Sequence, residues 1–512
     1  MHRRTGALLA TICLAACSTS PGVTATEARS GDGAVDTTAD TTADTTIEST
    51  APGTDSTAPT DSPAATGPAD TTSPGPTDEF GIGDRLYPSL GNPGIDVEHY
   101  TLQLQYDRPT NELSGRAHLD IVMTEDRDEF SLDSDGPDVS AVTVDGESAM
   151  FAETRPELVI TPTHSLSAGQ RIAVDVTYSV SPQAVPSAAS GVVGWFPTPG
   201  GSFVLNEPNG AHTWMPCDDH PSDQASFRFE LTVPSGVTAV ANGALIDHTS
   251  TPTRETWTWQ ENRPMATYMI QALTGDYELV DGVGPNGLPM LNAVLREDRA
   301  TMQPYLDSLA AEIDFLDDYF GPYPLDSYGI AIADSLPGIA METFGRPMFS
   351  RSDFMSGRLD APQEMLLSHE LAHQWFGNAV TPSTWSDVWL NESFATYGEW
   401  LWLDHVGDES LEDSANSGLA ARDPGSTASP TVDQLFGFNS YDGGAVVLHA
   451  LRKTVGDNAF FTLLRRWVSE NTGTARNTDD FIHLATDVAG RDLTEFFDTW
   501  LFAATLPSQF PA

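Results

Sequence analysis

Asp360-Ala-Pro-Gln-Glu-Met-Leu-Leu-Ser-His-Glu-Leu-Ala-His-Gln-Trp-Phe-Gly-Asn378 is the stretch that decides how this chain is read. It has the marks of one bounded helix. Asp360 stands at an N-cap, Pro362 falls in the first turn, Gln363 takes the capping-box position, and Gly377-Asn378 offers a stop. Leu366, Leu367, Leu371 and Trp375 give the helix an apolar face. At about 100° per residue, His369 and His373 return to nearly the same side and can grip one ion. Glu370, one residue on, can reach a water on that ion rather than the ion itself. Downstream, Trp389-Leu390-Asn391-Glu392 opens a second helical stretch, about Leu390 to Leu403, and adds a carboxylate. Two imidazoles and one carboxylate leave the fourth tetrahedral position of a zinc ion open, which separates catalytic from structural sites. Asp387 and Asn391 are candidate hydrogen-bond partners for those ligands. The H-E-x-x-H pattern by itself also fits a surface helix with two histidines; the packed face and the second helix weigh against that.

Eighteen residues separate His373 from Glu392. With the flanking Gln374-Trp375-Phe376-Gly377-Asn378, Val380-Thr381-Pro382 and Trp385, this run resembles the gluzincin zinc aminopeptidases of the aminopeptidase N type. The resemblance implies one zinc per chain, held by His369, His373 and Glu392, with Glu370 as general base. Upstream, Gly338-Ile339-Ala340-Met341-Glu342-Thr343 is similar to the family's G-A-M-E-N exopeptidase motif, with Ile339 and Thr343 departing from it. The resemblance implies that Ala340 and Met341 line the substrate and that Glu342 binds its free N-terminal ammonium. Glu207, in Glu207-Pro208-Asn209-Gly210-Ala211-His212, stands where the family's N-terminal domain contributes to the same amine site; His212 replaces the usual arginine. A charge-assisted hydrogen bond to the amine is worth about 1.5–3 kcal/mol, so two carboxylates there make physical sense. Tyr441-Asp442-Gly443-Gly444-Ala445 resembles the Y-x-K-G-A helix start, with Gly443 for lysine, and puts Tyr441 at the oxyanion stabiliser's place.

The rest of the chain divides by pattern. Arg3-Arg4, the apolar Ala7 to Ala16 and Leu14-Ala15-Ala16-Cys17 read as a lipoprotein signal peptide over residues 1–17, with Cys17 carrying the lipid. A plain signal peptide is the other reading. With Cys13 removed and Cys17 lipidated, Cys217 has no partner for an internal disulfide. Residues 18–85 are rich in Ser, Thr, Pro and Asp with hardly an aromatic, too poor in apolar surface to offset ordering entropy. They read as a disordered tether with a reach on the order of 45 Å. The expectation is an exported protein on the outer face of a bacterial cell membrane, held only by its N-terminal lipid. A formal net charge of -49 argues against nucleic acid as a partner.

From 86 to 278, runs such as Tyr100-Thr-Leu-Gln-Leu-Gln-Tyr, Ile172-Ala-Val-Asp-Val-Thr-Tyr and Phe227-Arg-Phe-Glu-Leu-Thr-Val alternate apolar and polar residues. They predict antiparallel sheets with one wet face. From 279 to 512 helical patterns take over, at 302–319, 361–377, 390–403, 442–454, 457–470, 477–488 and 492–502. The expected fold class is multidomain α+β. The resemblance implies a saddle-like N-terminal β-domain followed by a thermolysin-like, mainly helical catalytic domain. Many relatives continue into a C-terminal helical domain; here the chain stops, and a more open cleft is expected. The function expected is hydrolysis of the N-terminal bond of peptides that carry a free N-terminus. A thermolysin-like endopeptidase and a catalytically silent surface-binding protein on a peptidase fold stand as alternatives. No stretch specifies an oligomeric state.

Overall fold

A computed structural model describes residues 80–335 and 338–511. The signal peptide, Cys17 and the tether as far as residue 79 lie outside the described residues. Asp84 and Arg85, at the end of the segment read as tether, are held by hydrogen bonds to residues 301 and 345 positions away.

The alternating runs form strands. Along Ile95–Asp107, Tyr100, Leu102, Leu104 and Tyr106 are buried while Gln103 and Gln105 face out. Val97 is buried on the opposite parity because a bulge between Val97 and His99 shifts the pleat by one residue. The strands build an eight-stranded sheet in the order Ala244–Ser250, Arg254–Met265, Ala225–Pro234, Ile95–Asp107, Glu112–Met123, Arg171–Val180, Asp138–Val144, Glu147–Ser148. One pairing departs from the antiparallel expectation: Ile95–Asp107 runs parallel to Ala225–Pro234. Strands so far apart in sequence need no hairpin, so either direction is open, and Tyr100 stacks on Phe227 at 4.8 Å across the join. A second sheet contains Ser202–Leu205, which runs directly into Glu207.

Strands also continue past residue 278. A mixed sheet in the order Tyr277–Val283, Pro289–Leu295, Ala331–Ala333, Met348–Ser350, Ala340–Met341 opens the helical half. Behind it pack α1 (Arg299–Phe320), α2 (Ala361–Ala372) and α3 (Trp389–Val406), then α4 (Leu411–Ala421), α5 (Asp442–Val455), α6 (Asp457–Asn471), α7 (Thr478–Ala489) and the short α8 (Thr494–Phe497). α4 is an addition to the helices read from sequence; Ser410 caps it by accepting from the Asp413 amide. α2 ends at Ala372, five residues short of expectation, because the chain widens into a π-type turn over Gln374–Asn378. Asp360 occupies the N-cap without a side-chain cap, and Gln363 spends its amide on the Asp353 carbonyl instead of a capping box. Among the described residues no helix is long and apolar enough to cross a membrane.

Buried Arg346 joins the two halves. Its guanidinium donates to the carbonyls of Ala241 and Gly243 in the β-rich half and of Leu291 in the mixed sheet. Trp385 belongs to the β-side core and Trp389, four residues on, to the helical core. The metal-ligand candidates sit at that seam.

Candidate active site

α2 and α3 cross closely because Gly398 has no side chain: a Cβ there would lie 2.7 Å from the Ala372 Cβ. The crossing brings His369 and His373 against Glu392. The two Nε2 atoms are 3.2 Å apart, and the Glu392 Oε2 lies 3.5 Å from His369 and 3.3 Å from His373. The Nδ1 of His373 faces the Phe376 carbonyl at 3.2 Å, which only accepts, so its proton sits on Nδ1 and Nε2 presents a lone pair. The His369 Nδ1 likewise donates to the Glu399 carboxylate at 3.3 Å. Two lone pairs and a carboxylate oxygen converging on one point repel one another unless a cation lies between them. Zn–N and Zn–O bonds of about 2.0–2.1 Å imply a tetrahedron edge of about 3.3–3.4 Å, the spacing found here. The three side chains therefore fit a zinc ion on their own geometry.

Electrostatics agrees. Burial would push the Glu392 carboxyl up, but the charge of His373 and hydrogen bonds from both histidines hold it at about 2. Burial would depress His369, yet its bonds to Glu392 and Glu399 raise it well above the usual imidazole value. Both shifts report a pocket whose gathered carboxylates favour positive charge at the point where the three groups meet. Glu370 is pushed up to about 8, by burial first, although the neighbouring histidines oppose it. A dication beside it would favour the carboxylate. Its Oε2 is buried and has no hydrogen-bond partner among the described residues.

Glu342 and Glu207 approach the triad through Glu392. One carboxylate oxygen from each of Glu207, Glu342 and Glu392 lies within 4.8 Å of the other two, all buried. Glu207 and Glu342 each keep a buried, unpartnered Oε1. Burial raises both carboxyls, with Glu342 itself the next cause at Glu207. The turn after α2 fixes this arrangement. Gln374 donates to the Glu370 carbonyl and accepts from the Gly345 amide, while Asn378 donates to the Glu342 carbonyl at 2.7 Å. Gly377, at φ 115°, permits the bend. Thr343, a departure from the family motif, donates to the Arg346 carbonyl and accepts from Gln271. Ala340 and Met341 form the outermost strand of the mixed sheet, paired on one side with Phe349 and Met348.

Tyr441 stands at the N-cap of α5 with its ring 5.9 Å from the His369 ring and nearly parallel to it. Gly444 makes this possible: a Cβ there would fall 1.7 Å from Ser393 Oγ, next to Glu392. Ser393 in turn donates to the Ser440 carbonyl. The two partners expected for the ligands are not so used. Asp387 accepts from the Thr478 amide and the Thr478 and Thr384 hydroxyls, and Asn391 donates to the Tyr268 hydroxyl. Glu399 and the Phe376 carbonyl fill that role. Glu399 sits seven residues after Glu392, two turns along one face of α3, and that spacing was the available signal.

A buried triad shaped for a metal ion, an adjoining carboxylate and a β-rich domain lending a further carboxylate fit a two-domain metallopeptidase. Residues 305–500 match the peptidase family M1 domain, and residues 96–269 match the peptidase M1 N-terminal domain. The M1 zinc metallopeptidase of Deinococcus radiodurans is 31% identical, with a TM-score of 0.75 over 84% of this chain and 99% of that one. A two-domain M1 zinc metallopeptidase mutant bound to L-tryptophan is 32% identical, with a TM-score of 0.77 over 84% and 100%. The chain belongs to peptidase family M1. Among curated relatives, aminopeptidase M1-C of Oryza sativa subsp. japonica is 30% identical over 57% of this chain and 35% of its own length. Probable aminopeptidase 2 of Sulfurisphaera tokodaii is 26% identical over 80% and 53%. The chain thus spans between a third and about half the length of these curated relatives.

Proposed function

We propose that this protein is a zinc aminopeptidase that removes the first residue of peptides. One observation carries the reading: the zinc-shaped triad shares Glu392 with a buried cluster in which Glu207 and Glu342 leave carboxylate oxygens unpartnered. A free ammonium is the natural occupant of such a cluster, and its distance from the triad sets cleavage after one residue. Zinc, when bound, supplies Lewis acidity that activates water and polarises the scissile carbonyl. Glu370 accepts the proton of the attacking water and delivers it to the leaving amine. Tyr441 donates a hydrogen bond to the carbonyl oxygen as it gains charge. Ala340–Met341, the end strand of the mixed sheet, offers an outer edge along which an extended substrate backbone can pair. Names of relatives support the same reading, as does a D. radiodurans M1 structure bound to a Tyr-Ser-Ala substrate.

The test compares aminoacyl-arylamides with their N-acetylated forms, with and without a chelator. Chelator-sensitive hydrolysis of the free amines alone is expected; equal rates on both would favour the thermolysin-like endopeptidase. As to place, the leader and Cys17 support a lipid-anchored protein outside the cell membrane. Cys17→Ala should then release the enzyme into the medium, and retention in the membrane fraction would count against the anchor.

A further inference from the structure

The first described residues lie against the metal-bearing half of the molecule. Asp84, its side chain fully buried, accepts four hydrogen bonds' worth of contacts. Its Oδ1 takes the amides of Leu86 and Tyr87 at 2.6 and 3.0 Å; its Oδ2 takes the Trp385 amide at 3.0 Å and faces the His220 Nε2 at 3.3 Å. Arg85 reaches the Ser386 hydroxyl at 3.1 Å and the Pro430 carbonyl at 2.7 Å. The Tyr87 ring lies edge-on to Trp385 at 6.4 Å. Burial opposes the Asp84 charge, but the hydrogen bond from His220 and the two amides more than offset it, so the carboxylate stays ionised.

Trp385 is two hydrogen bonds from a metal ligand. Its carbonyl accepts the Val388 amide, and the Val388 carbonyl accepts the Glu392 amide at 3.1 Å. Its ring also lies 5.2 Å from Tyr268, whose hydroxyl takes the Asn391 amide and reaches the Gly377 carbonyl beyond His373. The strap Asp84–Tyr87 therefore bears on both ends of the ligand set without touching it.

We infer that Asp84 is a positioning residue for the metal centre: it fixes the Trp385–Asp387 turn from which α3 presents Glu392, and the strap is part of the catalytic scaffold. This rests on the zinc reading above. The full-length, zinc-loaded protein and its Asp84→Asn variant are challenged with excess chelator, and zinc release is followed with a chromophoric indicator. Leu119→Ala, buried in the eight-stranded sheet, which carries none of the three ligands, serves as the control for general destabilisation. Release from Asp84→Asn is expected to be faster on the order of tenfold, as for lost support of a ligand. Leu119→Ala should release zinc at the parental rate despite a lowered melting midpoint. Parental release by Asp84→Asn, or release no faster than in the control at an equal fall in midpoint, overturns the inference. Should Asp84→Asn not fold, Arg85→Ala carries the test: a smaller acceleration supports the inference, and an unchanged rate refutes it. A parent protein that binds no zinc would instead refute the zinc reading itself.

Discussion

In the proposed mechanism Glu370 must be ionised beside the metal and accept the proton of the attacking water. Glu370→Gln keeps the shape and removes the basicity. Its zinc content should match the parent by metal analysis while turnover of an aminoacyl-arylamide falls by about 100–10,000-fold or more; retained turnover would remove the base assignment. Tyr441→Phe deletes only the donor and should lower kcat by about 100–1,000-fold with zinc still bound. A rise in KM at unchanged kcat would show that Tyr441 binds substrate and leaves the oxyanion alone. Part of the candidate site was legible because a shared ion dictates spacing: helix period put His369 and His373 on one face, while Glu392, on another helix, and the base role of Glu370 came from the family resemblance. The supports of the ligands were not legible. Asp387 and Asn391 flank or neighbour Glu392 in sequence, yet their side chains point to Thr478 and Tyr268. Glu399 is two turns away, and the Phe376 carbonyl belongs to a turn whose width no periodicity announces.

The elements converge because two glycines let helices touch. Gly398→Ala places a methyl 2.7 Å from the Ala372 Cβ, between the helices that carry the histidines and Glu392. The Ala372 Cβ is not the loose end of a flexible side chain, so α2 and α3 must separate. Overpacking of this kind costs about 1–3 kcal/mol, and here the triad widens with it. The variant should lose zinc to a chelator faster than the parent and melt earlier; a parental zinc release rate would show that the crossing is not set by Gly398. Sequence patterns found most of these elements for a simple reason. Strands such as Ile95–Asp107 and helices such as α5 bury one face, and burial imposes a period. α4 escaped because it buries only Ser414, Ala415 and Gly418, small residues that leave no apolar period to read. The parallel pairing of Ile95–Asp107 with Ala225–Pro234 escaped because alternation records which face is buried and says nothing about strand direction.

Over the whole molecule the formal charge of -49 is the dominant electrostatic fact, but the total conceals which carboxylates are buried. Burial raises Glu157 and Asp218 in the β-rich half to about 7, and Glu312 on α1 to about 8. Unfolded, these groups titrate near 4. The folded state thus binds protons more tightly, and each group's contribution is fully present below about pH 4 and lost as pH climbs through 7 to 8. Self-repulsion among the surface carboxylates acts in the same direction above pH 4. The metal-stripped protein should therefore melt at a lower temperature at pH 8 than at pH 5, opposite to a protein stabilised by ionised, paired carboxylates. Removing the metal matters, because proton release on zinc binding imposes the reverse dependence. Salt separates the two causes: it screens exposed charges over about 10 Å at 0.1 M but leaves a buried carboxyl nearly untouched. Glu312 is the group to change, since Ser308 bonds its Oε1 while its Oε2 is buried and unpartnered. Glu312→Gln keeps the volume and never ionises. Calorimetry at high salt should find its melting midpoint less pH-dependent between 5 and 8 than the parent's; identical slopes would mean that Glu312 stays ionised in the folded protein and that burial there costs far less than its surroundings imply.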